Sequence, residues 1–535
     1  MLAGAIHGAA GDLGPHFGFR PNSGRSGDPR AAPSPQPTPL PATPIQALQE
    51  PAPELLGFRE KSSYGFGNMA SCLYWQTFMV YLTIFYTDVF GIGAAAAGTM
   101  IGLSRSADAF FDPVMGMLAD RTRTRWGKFR PFLLWFCVPM AVMGVLTFTV
   151  PGLGASGKLV WAYVTYNALM LLYTAINIPY IALLGVISPN PNERTALSCI
   201  QFVGAFAGGI IVSATLLPMS KVGGWLGART VERGWQMSFV LYGVAAVVFF
   251  LATFFGVRER VSPPRAQRTS VLRDLGDLLT NGPWLIVLAT TITFILFGAI
   301  RSSVTAYYFK YYIGSQTLTL PAFLPKSAAG TQTWSWESLV SAFNTSNQVA
   351  SLVGVMMIPA FARIVGRKAA VVVLLVIAIA STASFYFLRP DQLPLIYGIN
   401  LIGSVTGGPL AALLWTMYAD TADYAEWTRG RRATGLIFSA SIFSQKQGWA
   451  IGAWVALALM QSVGFVANAA QTPTSLHALV LLMSVLPASL GVLSVVLVLF
   501  YPLNEARMSQ IASDLRRRRA LEAAGNATDG APGHA

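Results

Sequence analysis

Three ionisable residues lie within one apolar stretch of the sequence, at a spacing that suits a helix. Arg105, Asp108 and Asp112 follow one another at i, i+3 and i+7, so on a helix they occupy one face. Two carboxylates one turn apart repel each other unless a proton or a cation lies between them. Such a pair is unfavourable when empty and favourable when Na⁺ or H⁺ is bound. The spacing therefore predicts a cation-binding site.

A lysine in a later apolar stretch can complete this site. Lys446 lies within SQKQG (444–448), and Arg301 is a second basic candidate in another apolar stretch. An ionisable side chain at mid-membrane costs about 2.5–3.5 kcal/mol, so each of these residues requires a function or a partner. The alternative interpretation is a structural salt-bridge cluster in which Arg105 and Lys446 neutralise the two aspartates. The two interpretations are compatible, since a lysine that pairs with aspartates in one state can yield to a cation in another.

The composition predicts that these residues belong to a membrane protein. Of 535 residues, 53% are hydrophobic and only 11% are charged, which is less than half of the roughly 25% found in soluble domains. The charges cluster between apolar runs of about 20 residues, long enough to cross a hydrocarbon core of ~30 Å. The net charge of +14 then reflects orientation in the membrane. We therefore expect a protein embedded in the lipid bilayer, with no nucleic-acid partner.

Residues that support catalysis or hold a resident cofactor are missing from the predicted spans. None of the four histidines lies deep in a span, and the three cysteines show no CxxC spacing, which argues against zinc sites and a disulfide framework. The segment GLGASGKL (152–159) resembles a P-loop, but Leu159 stands where a Ser or Thr must hold Mg²⁺. The sequence predicts no enzyme, no cofactor and no metal beyond a coupling Na⁺ at Asp108 and Asp112.

Hydropathy predicts an all-α integral membrane protein with twelve transmembrane helices in two six-helix bundles. The predicted spans are 67–89, 94–119, 131–152, 159–186, 197–218, 236–257, 284–312, 337–362, 369–388, 393–418, 435–460 and 478–501. The predicted parts are a disordered Pro-rich tail at 1–60, bundles at 61–257 and 284–502, a cytoplasmic linker at 258–283 and a basic tail at 503–535. Loops after even-numbered spans carry roughly three times as many Lys and Arg as the opposite loops, which places both termini in the cytoplasm.

Several segments resemble, in the right order, the motifs of one known family. They are RSADAFFDPVMG (105–116), GMLADRTRTRWGKFRP (116–131), YTAINIPYIAL (173–183), MYADTADYAEWTRGRRATG (417–435) and FSQKQGWAIGAW (443–454). Over about 61–505 the chain is similar to the glycoside–pentoside–hexuronide:cation symporters of the major facilitator superfamily. The resemblance implies the major facilitator fold and alternating-access symport of a sugar with Na⁺ or H⁺.

The resemblance also implies roles for individual residues. Asp108 and Asp112 match the aspartates that bind the coupling cation, with Thr174 contributing to their site. Lys446 and Arg105 match basic residues that take part in coupling. Four further charges match cytoplasmic helix-end contacts that act as a gate between the two halves, namely Asp120, Arg194, Asp420 and Arg432.

The sugar-binding positions of the family are changed in this sequence. The family's sugar-binding residues are acidic in spans 1 and 4 and an arginine in span 5, and these positions are Cys72, Asn177 and Phe202 here. Ile181 stands in place of a pocket tryptophan, and Phe111 in place of an asparagine just before the second aspartate. The candidates for substrate contacts are Asn177, Cys72, Tyr74, Trp75, Tyr180 and Arg301. We therefore expect that the cation machinery is retained and that the substrate site is rebuilt.

Taken together, these patterns predict a cation-coupled importer of a sugar or glycoside, a monomer in the bacterial inner membrane. Two alternatives stay open. Cys72, Phe202 and Ile181 make the pocket more apolar, which allows a lipid-like or other amphipathic solute as cargo. A non-transporting membrane sensor with the same fold is less favoured, because a sensor has no need of a costly intramembrane cation site.

Overall fold

The structure, a computed structural model, covers most of the predicted membrane region. It describes residues 55–188, 191–260, 278–320, 330–430 and 434–529. These residues belong to one compact unit, Glu54–Ala535, and the other unit, Met1–Pro53, lies outside them. The predicted tail at 1–60 and linker at 258–283 therefore fall largely outside the described residues.

Helices form at all six predicted positions of the first half. They are α1 (Phe58–Val80), α2 (Ala94–Arg121), α3 (Arg130–Thr147), α4 (Ala155–Ile187), α5 (Pro191–Ser220) and α6 (Val231–Gly256). The first helix continues through Leu82–Ile84 into a π-helical turn at Phe85–Val89. The side chain of Thr230 caps α6 by accepting a hydrogen bond from the backbone N–H of Arg233, as N-cap threonines commonly do.

The second half is helical at its six predicted positions and adds a terminal helix. Its helices are α7 (Gly282–Tyr307), α8 (Trp336–Val365), α9 (Arg367–Ser384), α10 (Leu393–Arg429), α11 (Thr434–Ser462), α12 (Pro473–Met483), α13 (Val485–Leu499) and α14 (Glu505–Asp529). The α12–α13 pair occupies the twelfth predicted span. A second π-helical turn, Tyr308–Ile313, extends α7, and Gly366 separates α8 from α9 with a φ of 83° that favours glycine.

Eight segments among the described residues are long and apolar enough to cross a membrane. They lie in α3, α4, α5, α6, α7, α9, α10 and the α12–α13 pair. The other four predicted spans, α1, α2, α8 and α11, are helical but more polar, since they carry residues such as Asp108, Gln348 and Lys446. The prediction of a helical membrane fold is confirmed, and the crossing of the membrane by these four helices stays a prediction.

One element departs from the all-α prediction. The strands β1 (Gln316–Leu320) and β2 (Gly330–Trp334) form an antiparallel hairpin after α7, with Gln316 opposite Trp334. Both strands are rich in threonine, whose branched Cβ favours extended backbone. The hydropathy pattern did not reveal it because the segment is short and polar.

Helices pack within each half, and two helix pairs join the halves. Within the first half, α1 packs against α5 and α6, and α3 packs against α4 and α6. Within the second half, α10 packs against α8 and α9, and α13 packs against α7 and α9. The halves meet where α2 packs against α11 and α5 packs against α8. Glycines allow the first of these contacts, since a Cβ at Gly98 would approach the Cβ of Leu457 to 3.0 Å.

Close packing of α11 on α7 gives a prediction about stability. A Cβ at Gly452 would lie 2.5 Å from the Cβ of Ala299, so Gly452→Ala is expected to cost about 1–3 kcal/mol through overpacking. The matched control is Gly185→Ala in α4, where a Cβ would meet nothing within 4 Å and where alanine favours the helix. Thermal unfolding of the purified protein in detergent measures both. Equal melting temperatures for the two variants would contradict the packing seen between α7 and α11.

Candidate functional site

The aspartates and the lysine predicted from the sequence meet between the two halves. Lys446 on α11 places its ammonium 2.8 Å from Asp108 Oδ2 and 2.6 Å from Asp112 Oδ1. Thr174 on α4 donates a hydrogen bond to Asp108 Oδ1 at 2.6 Å and lies 3.4 Å from Asp112 Oδ1. Asp108 is only 3% exposed. We call these four side chains the lysine–aspartate cluster.

The lysine–aspartate cluster has the composition of a cation site. Its oxygen donors, two carboxylates and a hydroxyl, are those that hard cations prefer. The Lys446 ammonium lies between the carboxylates, where a bound cation would lie, and it offsets their repulsion. Both interpretations of the sequence are compatible with this geometry, because the same contact is a buried ion pair and a site that a cation can enter when the lysine leaves.

Arg105 lies on the same helix but makes different contacts. Its Nε donates to the hydroxyl of Tyr166 at 3.2 Å and its Nη1 to the carbonyl of Trp449 at 3.3 Å, while Nη2 donates to the carbonyl of Phe78. The guanidinium thus links α2 to α1, α4 and α11. The salt-bridge alternative assigned Arg105 to the two aspartates, whereas these hydrogen bonds direct it to neutral groups.

A cavity lined by apolar and several polar side chains lies beside the lysine–aspartate cluster. Its volume is about 500 Å³, within the usual range for small-molecule sites of roughly 300–1,000 Å³. It is lined by α1 and by five helices of the second half, α7 to α11. Trp75, Met79 and Trp449 line this cavity and also a small void that contacts Asp108 and Lys446. These three side chains therefore form the wall between the cavity and the cluster.

Two of the six substrate candidates line this cavity, Trp75 and Arg301. The structure places the other four elsewhere. Tyr180 stacks on Tyr64 and donates its hydroxyl to the Tyr64 carbonyl at 2.7 Å, and Tyr74 packs edge-on against Phe239.

The remaining two candidates do not line the cavity either. Cys72 packs against Gly208 of α5, and Asn177 is half-buried on α4. Phe202 and Ile181 are 60% and 47% exposed and are not among the lining residues. The premise that Cys72, Phe202 and Ile181 make the pocket apolar therefore does not fit this cavity.

Neutral amide side chains of the cavity were missed by the sequence reasoning. Gln348 on α8 donates to Gln76 Oε1 on α1 at 2.8 Å, a hydrogen bond between the two halves. Asn344 donates to the Tyr81 hydroxyl at 3.1 Å. The polar run NTSNQ (344–348) inside an otherwise apolar stretch was the available signal. Such amides suit a ligand that is rich in hydroxyl groups.

The predicted cytoplasmic gate residues do not form one cluster among the described side chains. Asp420 on α10 lies 2.7 Å from Arg367 at the start of α9, a contact within the second half. Arg194 lies on α5 in the first half. The side chain of Asp120 and the whole of Arg432 lie outside the described residues. A gate made of these four charges stays a prediction.

A polar contact at the opposite end of the bundle was not anticipated. Asp88, in the π-helical turn after α1, lies 2.5 Å from the Lys310 ammonium and accepts a hydrogen bond from Tyr311, both in the turn after α7. Asn468 donates to the Asp88 carbonyl at 2.6 Å, and the hydroxyls of the neighbouring Thr87 and of Tyr307 are 2.7 Å apart. The two halves are therefore joined at the end that carries loop 90–93.

Comparison with known proteins places the chain in a family. The sequence profile described as MFS/sugar transport protein matches residues 63–325 and 330–505. The isoprimeverose transporter of Lactiplantibacillus pentosus is 34% identical over 88% of this chain and 93% of that protein. The putative glycoside/cation symporter YagG of Escherichia coli (strain K12) is 34% identical over 87% of this chain and 96% of that protein.

Solved structures agree on the fold. The crystal structure of a mutant of the nucleoside transporter NupG superposes with a TM-score of 0.57 at 12% identity, covering 83% of this chain and all of that one. At this identity the likeness concerns the fold alone. Since the family profile spans most of the chain, the protein belongs to the MFS/sugar transport protein family and is a multi-pass membrane transporter rather than an enzyme.

Proposed function

We propose that this transporter imports a sugar or glycoside together with a monovalent cation, Na⁺ or H⁺, across the bacterial inner membrane. The observation that carries the proposal is the lysine–aspartate cluster, in which one ammonium bridges a buried and a half-buried carboxylate. Names of relatives support it, since one is a putative glycoside/cation symporter and another an isoprimeverose transporter.

The wall between cavity and cluster provides a route for coupling. Trp449 lines the cavity and accepts a hydrogen bond from Arg105 through its carbonyl, and it lies three residues after Lys446 on α11. A substrate that presses on Trp75 and Trp449 shifts the helices that hold the two aspartates and the lysine. The linkage is reciprocal. A cation that displaces Lys446 raises the affinity for substrate by some factor, and bound substrate must raise the affinity for the cation by the same factor.

The amides of the cavity favour a hydroxylated cargo over a lipid-like one. Gln76, Asn344 and Gln348 line the cavity, and a hydrocarbon chain can bond to none of the amide donors and acceptors that their contacts with the protein leave over. Uptake into proteoliposomes tests the function directly. We expect a member of a sugar and glycoside panel to accumulate only when an inward Na⁺ or H⁺ gradient is imposed, and the ion that drives it identifies the coupling ion. Accumulation of none of them would remove the proposal.

Alternating access assigns a role to the Asp88 contacts. The loops at the other end are the more basic, so the Asp88 end is proposed to face outside, and the structure then represents a state closed to the outside. Asp88→Asn removes a carboxylate whose side chain is 3% exposed. Lys310 is 20% exposed, so the pair is partly buried, and a loss of about 1.4 kcal/mol is enough for the tenfold rise in the outward-open population that we expect.

Labelling of a cysteine in the cavity measures this population. Ser302→Cys on a background without the native cysteines reports access, because Ser302 lines the cavity. A membrane-impermeant maleimide added from outside should react at least tenfold faster when Asp88→Asn is present. Asp391→Asn, an exposed aspartate near the same end, is the matched control. An unchanged rate for Asp88→Asn would contradict the proposed closure.

A further inference from the structure

A groove separate from the cavity beside the lysine–aspartate cluster lies where the two halves meet at the side of the molecule. Its volume is about 680 Å³. It is lined by α5 and the segment after it, from the first half, and by α8 and α10, from the second. The helix α8 turns one face to each space, since Asn344 and Gln348 line the cavity whereas Ser341 and Thr345 line the groove. We call this second space the lateral groove.

The lateral groove is polar at one end and apolar at the other. Lys221 lies at the outer end, directly after the last residue of α5, and Val349 and Leu401 line the deeper part, where they are 45% and 41% exposed. From Ser338 to Ala350 the helix α8 rises roughly 18 Å at 1.5 Å per residue, which is close to half of a hydrocarbon core of ~30 Å. The groove therefore spans about one leaflet of the membrane and opens towards the lipid.

Two hydroxyls of the lateral groove lack hydrogen-bond partners. The Oγ of Ser341 and the Oγ1 of Thr345 are buried and unpartnered, and Ser341 is only 4% exposed. A hydrocarbon chain cannot bond to a hydroxyl, whereas an ester carbonyl can. No Asp or Glu occurs among the described residues that line the groove, so it offers no carboxylate to Lys221. The exposed Trp225 lies at the same end, and tryptophan is enriched at the surface of the bilayer.

We propose that the lateral groove binds one anionic phospholipid of the outer leaflet. Its phosphate accepts hydrogen bonds from the Lys221 ammonium, an interaction that charge strengthens, and its ester carbonyls accept from Ser341 and Thr345. One acyl chain then lies along Val349 and Leu401. The leaflet follows from the proposed orientation of the Asp88 end. Because α5 and α8 belong to different halves, the bound lipid stabilises the contact between them, and it does so as a resident ligand rather than as cargo.

Photo-crosslinking of the full chain in vesicles tests this assignment. The protein is reconstituted into phosphatidylcholine vesicles with a trace of phosphatidylglycerol that carries a diazirine on its acyl chain, and labelled peptides are identified by mass spectrometry. We expect labelling of α8 near Val349 or of α10 near Leu401. Excess unlabelled phosphatidylglycerol should reduce this labelling at least fivefold, whereas the same amount of zwitterionic phosphatidylethanolamine should reduce it less than twofold. Equal competition by the two lipids would overturn the inference, since it would indicate an unselective lipid contact.

Variants of the groove test the individual contacts. Lys221→Gln should lower the labelling at least fivefold because the phosphate loses its counter-charge, and Ala342→Leu should do the same by filling the groove, which Ala342 lines. Arg229→Gln removes an exposed cation of the same loop and, as the matched control, should label like the wild type.

Thermal unfolding in detergent gives a second readout for the same variants. Added phosphatidylglycerol should raise the melting temperature of the wild type and of Arg229→Gln more than that of Lys221→Gln, since a ligand stabilises the state that binds it. Wild-type labelling and an unchanged lipid-dependent shift in Lys221→Gln would contradict the proposed site. If the variants fail to insert, the competition between the two lipids on the wild type decides.

Discussion

Asp108→Asn is expected to abolish gradient-driven accumulation of substrate. The substitution removes one of the two carboxylates that Lys446 bridges and leaves an amide that cannot bind a coupling cation by charge. Asp108 is also the acceptor for Thr174, so the oxygen set of the site is broken. We expect the internal substrate concentration to stop at the external one, a loss of the entire accumulation ratio. Uptake into proteoliposomes with an imposed Na⁺ or H⁺ gradient measures it.

The same variant should still exchange substrate across the membrane. Because the cavity contacts are unchanged, exchange of labelled for unlabelled substrate at equal concentrations should persist, which separates a coupling defect from misfolding. Asp391→Asn, the same chemical change on an exposed loop residue, should accumulate substrate like the wild type. Full accumulation by Asp108→Asn would remove the cation-site hypothesis.

Lys446→Ala is expected to tighten cation binding and slow transport. The ammonium competes with the coupling cation for both carboxylates at 2.6–2.8 Å. Removing one partner of a buried pair leaves an uncompensated charge worth about 3–5 kcal/mol, which a bound cation then compensates. We expect at least a tenfold higher apparent cation affinity and at least a tenfold lower turnover, because the cation no longer leaves readily.

Tryptophan fluorescence offers a readout for this binding. Trp75 and Trp449 adjoin the void that contacts Lys446, so a cation titration of the purified protein should change their emission. Arg229→Ala, which removes an exposed cation at the end of the molecule that carries the Asp88 contacts, serves as the matched control. A Lys446→Ala protein that binds cations with unchanged affinity, or that fails to insert while Lys446→Arg inserts, would favour a purely structural salt bridge.

The residues of the lysine–aspartate cluster could be singled out from the sequence because charge is rare in a membrane span. Asp108, Asp112 and Lys446 interrupt apolar stretches, and an ionisable residue there requires a partner. Eight of the twelve helical positions were predictable for a related reason, since their apolar length matches the thickness of the bilayer. Both signals are local in sequence.

The cavity between the two halves depends on packing between distant helices, which leaves no local signal in the sequence. Tyr74 and Tyr180 are aromatic residues of the type that can stack on a sugar ring. In the structure Tyr74 packs against Phe239 and Tyr180 against Tyr64. Arg301 acquires its environment only when α7 meets Phe385 and Asn400 of the later chain. Residue type therefore identified the candidates, and helix packing decided which of them face the cavity.

The charges of the lysine–aspartate cluster determine how membrane voltage acts on transport. Two carboxylates and one ammonium sum to a single negative charge, which one monovalent cation neutralises. With a neutral cargo each cycle then moves one positive charge, and 100 mV contributes about 2.3 kcal/mol to accumulation. With a cargo that carries one negative charge the cycle is electroneutral, and only the concentration gradients act. A potassium diffusion potential across the vesicle membrane would therefore report the charge of the cargo before its identity is known.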